Sequence, residues 1–202
     1  MSTDIYGFIE VRDPLWDQDW FDWEPWSVAC PLHPLLAEND YDAFACLFGV
    51  RNYVGWRPVA AARGLPVDAS PQVRDDFAEF AHDLHSPTWI AWSELNDLDM
   101  TVGLNGVIGR LTLTEGALQL SWNLRDSWPP EIIDRFGPLP WGSTPGETFG
   151  VVEADDFVMA YQPLTRAAVL GPGTGWEHVF AVMRALAGRF GADGVRLVAY
   201  FD

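Results

Sequence analysis

Leu111-Thr112-Leu113-Thr114-Glu115-Gly116, followed by Leu118-Gln119-Leu120-Ser121-Trp122-Asn123-Leu124, carries the plainest structural signal in the chain. Leucines alternate with threonines and Glu115-Gly116 supplies a turn. On the return Leu118, Leu120, Trp122 and Leu124 alternate with polar residues. A period of two sets one row of side chains on a core and the other in water, so the stretch predicts an antiparallel hairpin. Toward the ends, Ile5 to Val11 predicts a strand stopped by Asp13-Pro14, and 195–201 predicts another. Helices are expected over 40–47, 71–84, 94–99 and 176–190. The second has Ser70 as N-cap and Pro71 at its first position, with Val73, Phe77, Phe80, Ala81 and Leu84 at helical spacing. The Pro- and Gly-rich run Trp128 to Gly146 reads as an ordered loop around a short helix. Strands and helices do not alternate regularly. The expectation is therefore a single α+β domain over 1–202, with a mostly antiparallel sheet that includes the N- and C-terminal strands and the hairpin, and two or three packed helices.

A hydrophobic share of 49% over 202 residues is enough for one well-buried core and excludes a disordered chain. No apolar run approaches the roughly 20 residues of a membrane span. The start lacks a basic stretch followed by an apolar one, and Cys30 and Cys46 alone do not make a disulfide framework, so a cytoplasmic location is expected. The net charge is −17, and all 12 basic residues are arginines. Such an excess repels phosphates, which argues against direct DNA or RNA binding. It favours a basic protein partner, or serves solubility alone.

Trp16, Trp20, Trp23 and Trp26 fall at near-helical spacing among Asp13, Asp17, Asp19, Asp22 and Glu24. Wound as a helix, the rings would share one face and the carboxylates the other. They form either a lid on the core or a recognition patch, in which Trp supplies the contact and the acids Asp17, Asp19 and Asp22 select a basic partner. A second polar set comprises Arg51, Asn52, Arg63, Asp83, His85 and Ser86. Asp83 is placed to orient His85 as a general base for Ser86 or a water, while Arg51, Asn52 and Arg63 grip an anion. The simpler reading is a network tying loops and a helix cap. Cys30-x-x-His33 and His82-x-x-His85 are too far apart in sequence, and too proline-bound, to be read as a zinc site. Val169-Leu170-Gly171-Pro172-Gly173-Thr174-Gly175 has the look of a nucleotide loop with its spacing short, and reads better as a turn before a helix. No metal or cofactor is expected.

Tyr41-Asp42-Ala43-Phe44, Gly49-Val50-Arg51-Asn52, Arg63-Gly64-Leu65-Pro66 with Asp68 and Ser70, Asp83 through Trp89, and Val195 through Asp202 resemble a group of uncharacterised bacterial and phage proteins. The resemblance implies no activity. It does imply that the first and last strands share one sheet. The function expected from charge and the Trp–acid segment is an acidic protein-binding or inhibitory module, of the immunity or phage-conflict type. A small hydrolase acting on an anionic substrate is the rival, and a DNA mimic the third reading.

Overall fold

A computed structural model describes residues 3–36, 39–115, 118–124, 134, 151–153 and 157–202. The turn at Gly116 and, but for residue 134, the loop over 128–146 lie outside them. The strands are β1 (Ile5–Arg12), β2 (Trp26–Pro31), β3 (His85–Ala91), β4 (Gly103–Glu115), β5 (Leu118–Leu124), β6 (Val151–Glu153), β7 (Phe157–Thr165) and β8 (Val195–Phe201). The helices are α1 (Tyr41–Phe48), α2 (Pro71–Glu79), α3 (Trp92–Asn96), α4 (Arg166–Leu170) and α5 (Trp176–Phe190). The protein is α+β, and among the described residues the strands form two four-stranded antiparallel sheets, ordered β2-β1-β8-β3 and β5-β4-β7-β6. They belong to two compact units. The first comprises 1–53, 57–98 and 175–202, and the second 54–56 and 99–174.

In the first unit the N- and C-terminal strands are direct neighbours, Ile5 opposite Phe201 and Val11 opposite Val195. All seven residues of β8 are buried, so helices cover both faces of that strand. On one face α1 packs Phe44 and Phe48 against Phe201, with ring centroids 5.4 and 5.7 Å apart, and Phe48 meets Trp176 of α5. Asp40 caps α1 by accepting from the Asp42 and Ala43 amides, and Gly49 ends it at φ 76°. On the opposite face α2 sets Val73 over Val198 and Phe77 against Tyr200. Ser70 accepts from the Val73 amide, as its position before Pro71 predicts. This helix stops at Glu79 rather than 84. Phe80 is exposed, so there is no core on that side to hold a further turn.

The second unit holds the predicted hairpin, β4–β5, with Leu111 opposite Trp122 and Leu113 opposite Leu120. Strand β7 pairs with the other edge of β4. Thr165 caps α4 by accepting from the Ala168 amide, and the Arg166 and Ala167 amides donate to the Val102 and Met100 carbonyls. Val169 and Leu170 thus close a helix. A nucleotide loop has to follow a strand, so the glycines after them do not form one.

The segment from Trp16 to Trp26 is not helical. Its backbone runs through successive turns, with Trp16 donating to Asp13, Gln18 to Leu15 and Phe21 to Gln18. Both ends are fixed by tertiary pairing. Arg12 lies opposite Trp26 in the sheet and the Asp13 amide donates to the Pro25 carbonyl, 2.8 Å away. The segment is therefore the connection between β1 and β2, too tightly closed to wind as one helix. His85 and Ser86 open β3 and do not cap a helix.

Candidate functional site

Three features of the first unit have chemistry on display. The first is the β1–β2 connection. Trp16, Trp20 and Trp23 are 46%, 59% and 66% exposed, and Leu15 is 49% exposed beside them. Trp20, Phe21 and Trp23 stack edge-on and tilted upon one another, with centroids 5.4 to 6.5 Å apart. Asp13, Asp17, Asp19, Asp22 and Glu24 surround them, all exposed, and no basic residue lies between 13 and 24. The rings do not close over the core. Only Trp26, at 5% exposure, does so.

The second feature roots that segment. The Arg12 guanidinium lies 4.7 Å from the Trp16 ring centroid and 5.4 Å from that of Trp26. Arg196 lies 3.7 Å from Trp26 on β2 and 6.0 Å from Trp89 on β3, and Arg63 lies 5.1 Å from Trp89. Trp16, Arg12, Trp26, Arg196, Trp89 and Arg63 thus alternate in one ladder of cation–π contacts across the sheet. Carboxylates pin its rungs. Arg196, 3% exposed, donates Nε to Glu10 Oε2 and Nη1 to Asp68 Oδ1, each at 2.7 Å. Glu10, fully buried, also accepts from the Ser70 amide at 2.8 Å, and Asp68 accepts from the Trp26 indole N–H at 2.8 Å. Burial by itself would raise the Asp68 carboxyl. The hydrogen bonds and charge of Arg196, with the Trp26 donor, outweigh it and hold Asp68 below the usual carboxylate range.

Arg63 ends the ladder in a two-pronged contact with Glu94, at 2.6 and 2.8 Å, and also donates to the Trp89 and Val59 carbonyls. The hydrogen bonds from Arg63 hold Glu94 below its ordinary value against the opposing effect of burial. The same bonds raise Arg63. A guanidinium occupied in this way is a structural post, not an anion clamp beside His85.

The third feature is a depression lined by Arg51, Asn52, Tyr53, His85 and Asp202. The structure therefore brings Arg51, Asn52 and His85 together and leaves Arg63 elsewhere, at the ladder. Asp83 does not orient His85, since its Oδ2 lies 3.0 Å from His82 Nε2. The orienting group is the Asp202 main-chain oxygen, 3.0 Å from His85 Nε2, while Nδ1 lies 2.9 Å from Ser86 Oγ. A main-chain oxygen only accepts, so Nε2 carries a proton, and in the neutral ring Nδ1 then accepts from the Ser86 hydroxyl. Arg51 donates Nε to Thr3 Oγ1 at 2.8 Å and lies 5.5 Å from the Tyr41 ring. Among the described residues three non-glycines have positive φ. Two of them, Arg51 at 55° and Ser86 at 51°, belong to this candidate set.

Cys30 with His33 and His82 with His85 are not assembled into a metal-holding group, and the described residues contain no cluster of three or more His, Cys, Asp and Glu side chains fit for one. No helix among the described residues is long and apolar enough to cross a membrane. Sequence reading missed the ladder residues Glu10, Arg12, Asp68, Trp89 and Arg196. Its one visible signal is Arg196 itself, a lone charge within an otherwise apolar strand. Comparison with protein-family models, with characterised proteins and with solved structures finds no match for this chain.

Proposed function

We propose that this chain is an acidic protein-binding module whose β1–β2 connection docks on a basic partner. One observation carries the reading: three tryptophans and a leucine stand exposed within a stretch holding five carboxylates and no cation. Exposed indoles clustered in this way lose much unfavourable hydration when covered, and Trp is among the residues on which binding energy concentrates. The surrounding acids would steer a positively charged face inward and reject an acidic one. Inhibition of the partner is the simplest consequence of such docking. Capture from cell extract by the wild type and by a Trp16→Ala/Trp20→Ala/Trp23→Ala variant tests this. A stoichiometric partner retained by the wild type, released by high salt and lost by the variant is expected. Recovery of the same background proteins by both would sink the reading.

A second reading has one observation in its favour. Ser86 Oγ lies 2.9 Å from His85 Nδ1, beside a depression that also holds Arg51 and Asn52, the arrangement a small hydrolase of anionic esters would use. A fluorophosphonate probe should then label Ser86 well above a Ser86→Ala control. Equal labelling of the two proteins ends that reading.

A further inference from the structure

At the opposite end of β1 and β8 from the tryptophan ladder, on the face that carries α2, a cavity of about 640 Å³ opens beside Tyr200. Its walls are aromatic. Tyr6 is 43% exposed and Phe80 47% exposed, while the buried Tyr200 ring presents its hydroxyl end. Tyr6 and Tyr200 lie directly across from one another on adjacent strands, and Phe80 follows the last residue of α2. Leu84 adds a half-buried apolar side chain. Among the described residues three carboxylates, Asp76, Asp83 and Asp202, complete the lining, and no basic residue does. The ladder depression and the His85 depression, by contrast, both carry arginines. The phenols hold the acids in place. Tyr200 Oη donates to Asp76 Oδ2, and Tyr6 Oη donates to Asp202 Oδ2 at 3.3 Å.

We infer that this cavity binds a guanidinium or ammonium group carried on a short apolar stem. The ring faces attract a cation through their quadrupoles, the carboxylates neutralise it, and the exposed apolar surface of Phe80 and Tyr6 takes the stem. A site with three acids and no rings would suit an inorganic cation equally well. The aromatic lining is what selects an organic one. The volume lies within the range that holds small organic ligands, and exceeds what the head group alone fills. Nothing in this assignment depends on the Trp16–Trp23 segment.

The test is titration of the ¹⁵N-labelled protein with n-butylguanidinium, n-butylammonium and the neutral n-butylurea. A blocked Gly-Arg-Gly peptide separates a protein side chain from a free amine as the source of the cation. Asp83 and Phe80 are both exposed, so Asp83→Asn and Phe80→Ala leave the core untouched. Saturable shifts of the Phe80, Leu84 and Tyr200 amides are expected with butylguanidinium or butylammonium. Each substitution should weaken the affinity by about fivefold or more. Binding of the peptide at least as tight as that of butylguanidinium assigns the cavity to a partner's basic side chain, and weaker peptide binding assigns it to a free organic cation. The proposal is overturned by the absence of saturation, by butylurea binding equally well, or by affinities that neither substitution changes.

Discussion

The Arg196 guanidinium lies 3.7 Å from the centre of the Trp26 ring while its Nε donates to the buried Glu10, so one side chain serves as a stacking plate and as a counter-ion at once. Glu10 and Arg196 face each other in the β1–β8 register, and the pairing of first strand with last is thereby marked by a charge contact as well as by apolar packing. Replacing Arg196 by Met keeps much of the stem but strands a fully buried carboxylate. The expected loss is about 3–5 kcal/mol, read by urea denaturation. Adding Glu10→Gln to that variant should restore part of it, because the stranded charge is then gone. A single variant as stable as the wild type would show that the contact carries no weight.

Gly7 sits on β1 at φ 147°, opposite Ala199, where an added Cβ would come within 2.0 Å of the Val198 carbonyl oxygen. Backbone has to shift to admit it. Gly7→Ala should therefore destabilise the protein by about 2 kcal/mol or more, measured as a lowered midpoint in chemical denaturation. A shift within error would mean that the β1–β8 pair tolerates a wider spacing.

Glu94 is held below its ordinary value by Arg63, so the unfolded chain takes up its proton more readily than the folded one. The stability this confers is present above the unfolded value of about 4.3 and is lost as pH falls through the folded value. Glu94→Gln should cost about 1 kcal/mol at neutral pH, a modest figure because both partners are partly exposed. The gap between variant and wild type should narrow as the pH falls below the unfolded value, the direction that the lowered Glu94 carboxyl dictates. Denaturation curves at neutral pH and in acid check this. A gap of equal size at both would assign the loss to packing.

Trp20 and Trp23 contribute exposed rings and no core, so the Trp20→Ser/Trp23→Ser variant should unfold within about 0.5 kcal/mol of the wild type. The surrounding carboxylates should also make the fluorescence of these two rings more sensitive to caesium than to iodide, a preference that the double variant loses. Trp26→Ala, by contrast, removes a buried ring stacked on Arg196 and should cost about 3–5 kcal/mol. Equal destabilisation by the two replacements would place Trp20 and Trp23 in the core after all.

Local signals were legible where local physics decides. The Leu–Thr alternation marked β4 and its partner, Ser70-Pro71 marked the start of α2, and the apolar run 195–201 marked β8. That the hairpin belongs to its own sheet, apart from the terminal strands, depends on which edges pair, and no spacing in the sequence records that. The tryptophan spacing suggests a helix because a period near 3.6 carries no trace of the pairing of Arg12 with Trp26 across the sheet. The candidate site was half legible. His85, Arg51 and Asn52 do line one depression, since turns bring the residues after α1 to the start of β3. Arg63 was drawn away by Glu94, a partner whose nearness only the folded chain reveals. Apart from the lone charge of Arg196 in β8, the ladder leaves no mark in the sequence for the same reason, its rungs coming from four strands and two loops.

Strand β8 lies between β1 and β3, and its Arg196 meets a residue 186 positions earlier in the chain. A ribosome making this protein releases β1, β2 and β3 long before the piece that joins them. Until residue 201 clears the exit tunnel, the nascent polypeptide holds two separate strand edges and an unmatched Glu10. Such long-range closure is slow, and the half-made molecule is exposed to wrong pairings while it waits. Its excess of negative charge then has a use during birth as well as afterwards, keeping neighbouring unfinished chains apart.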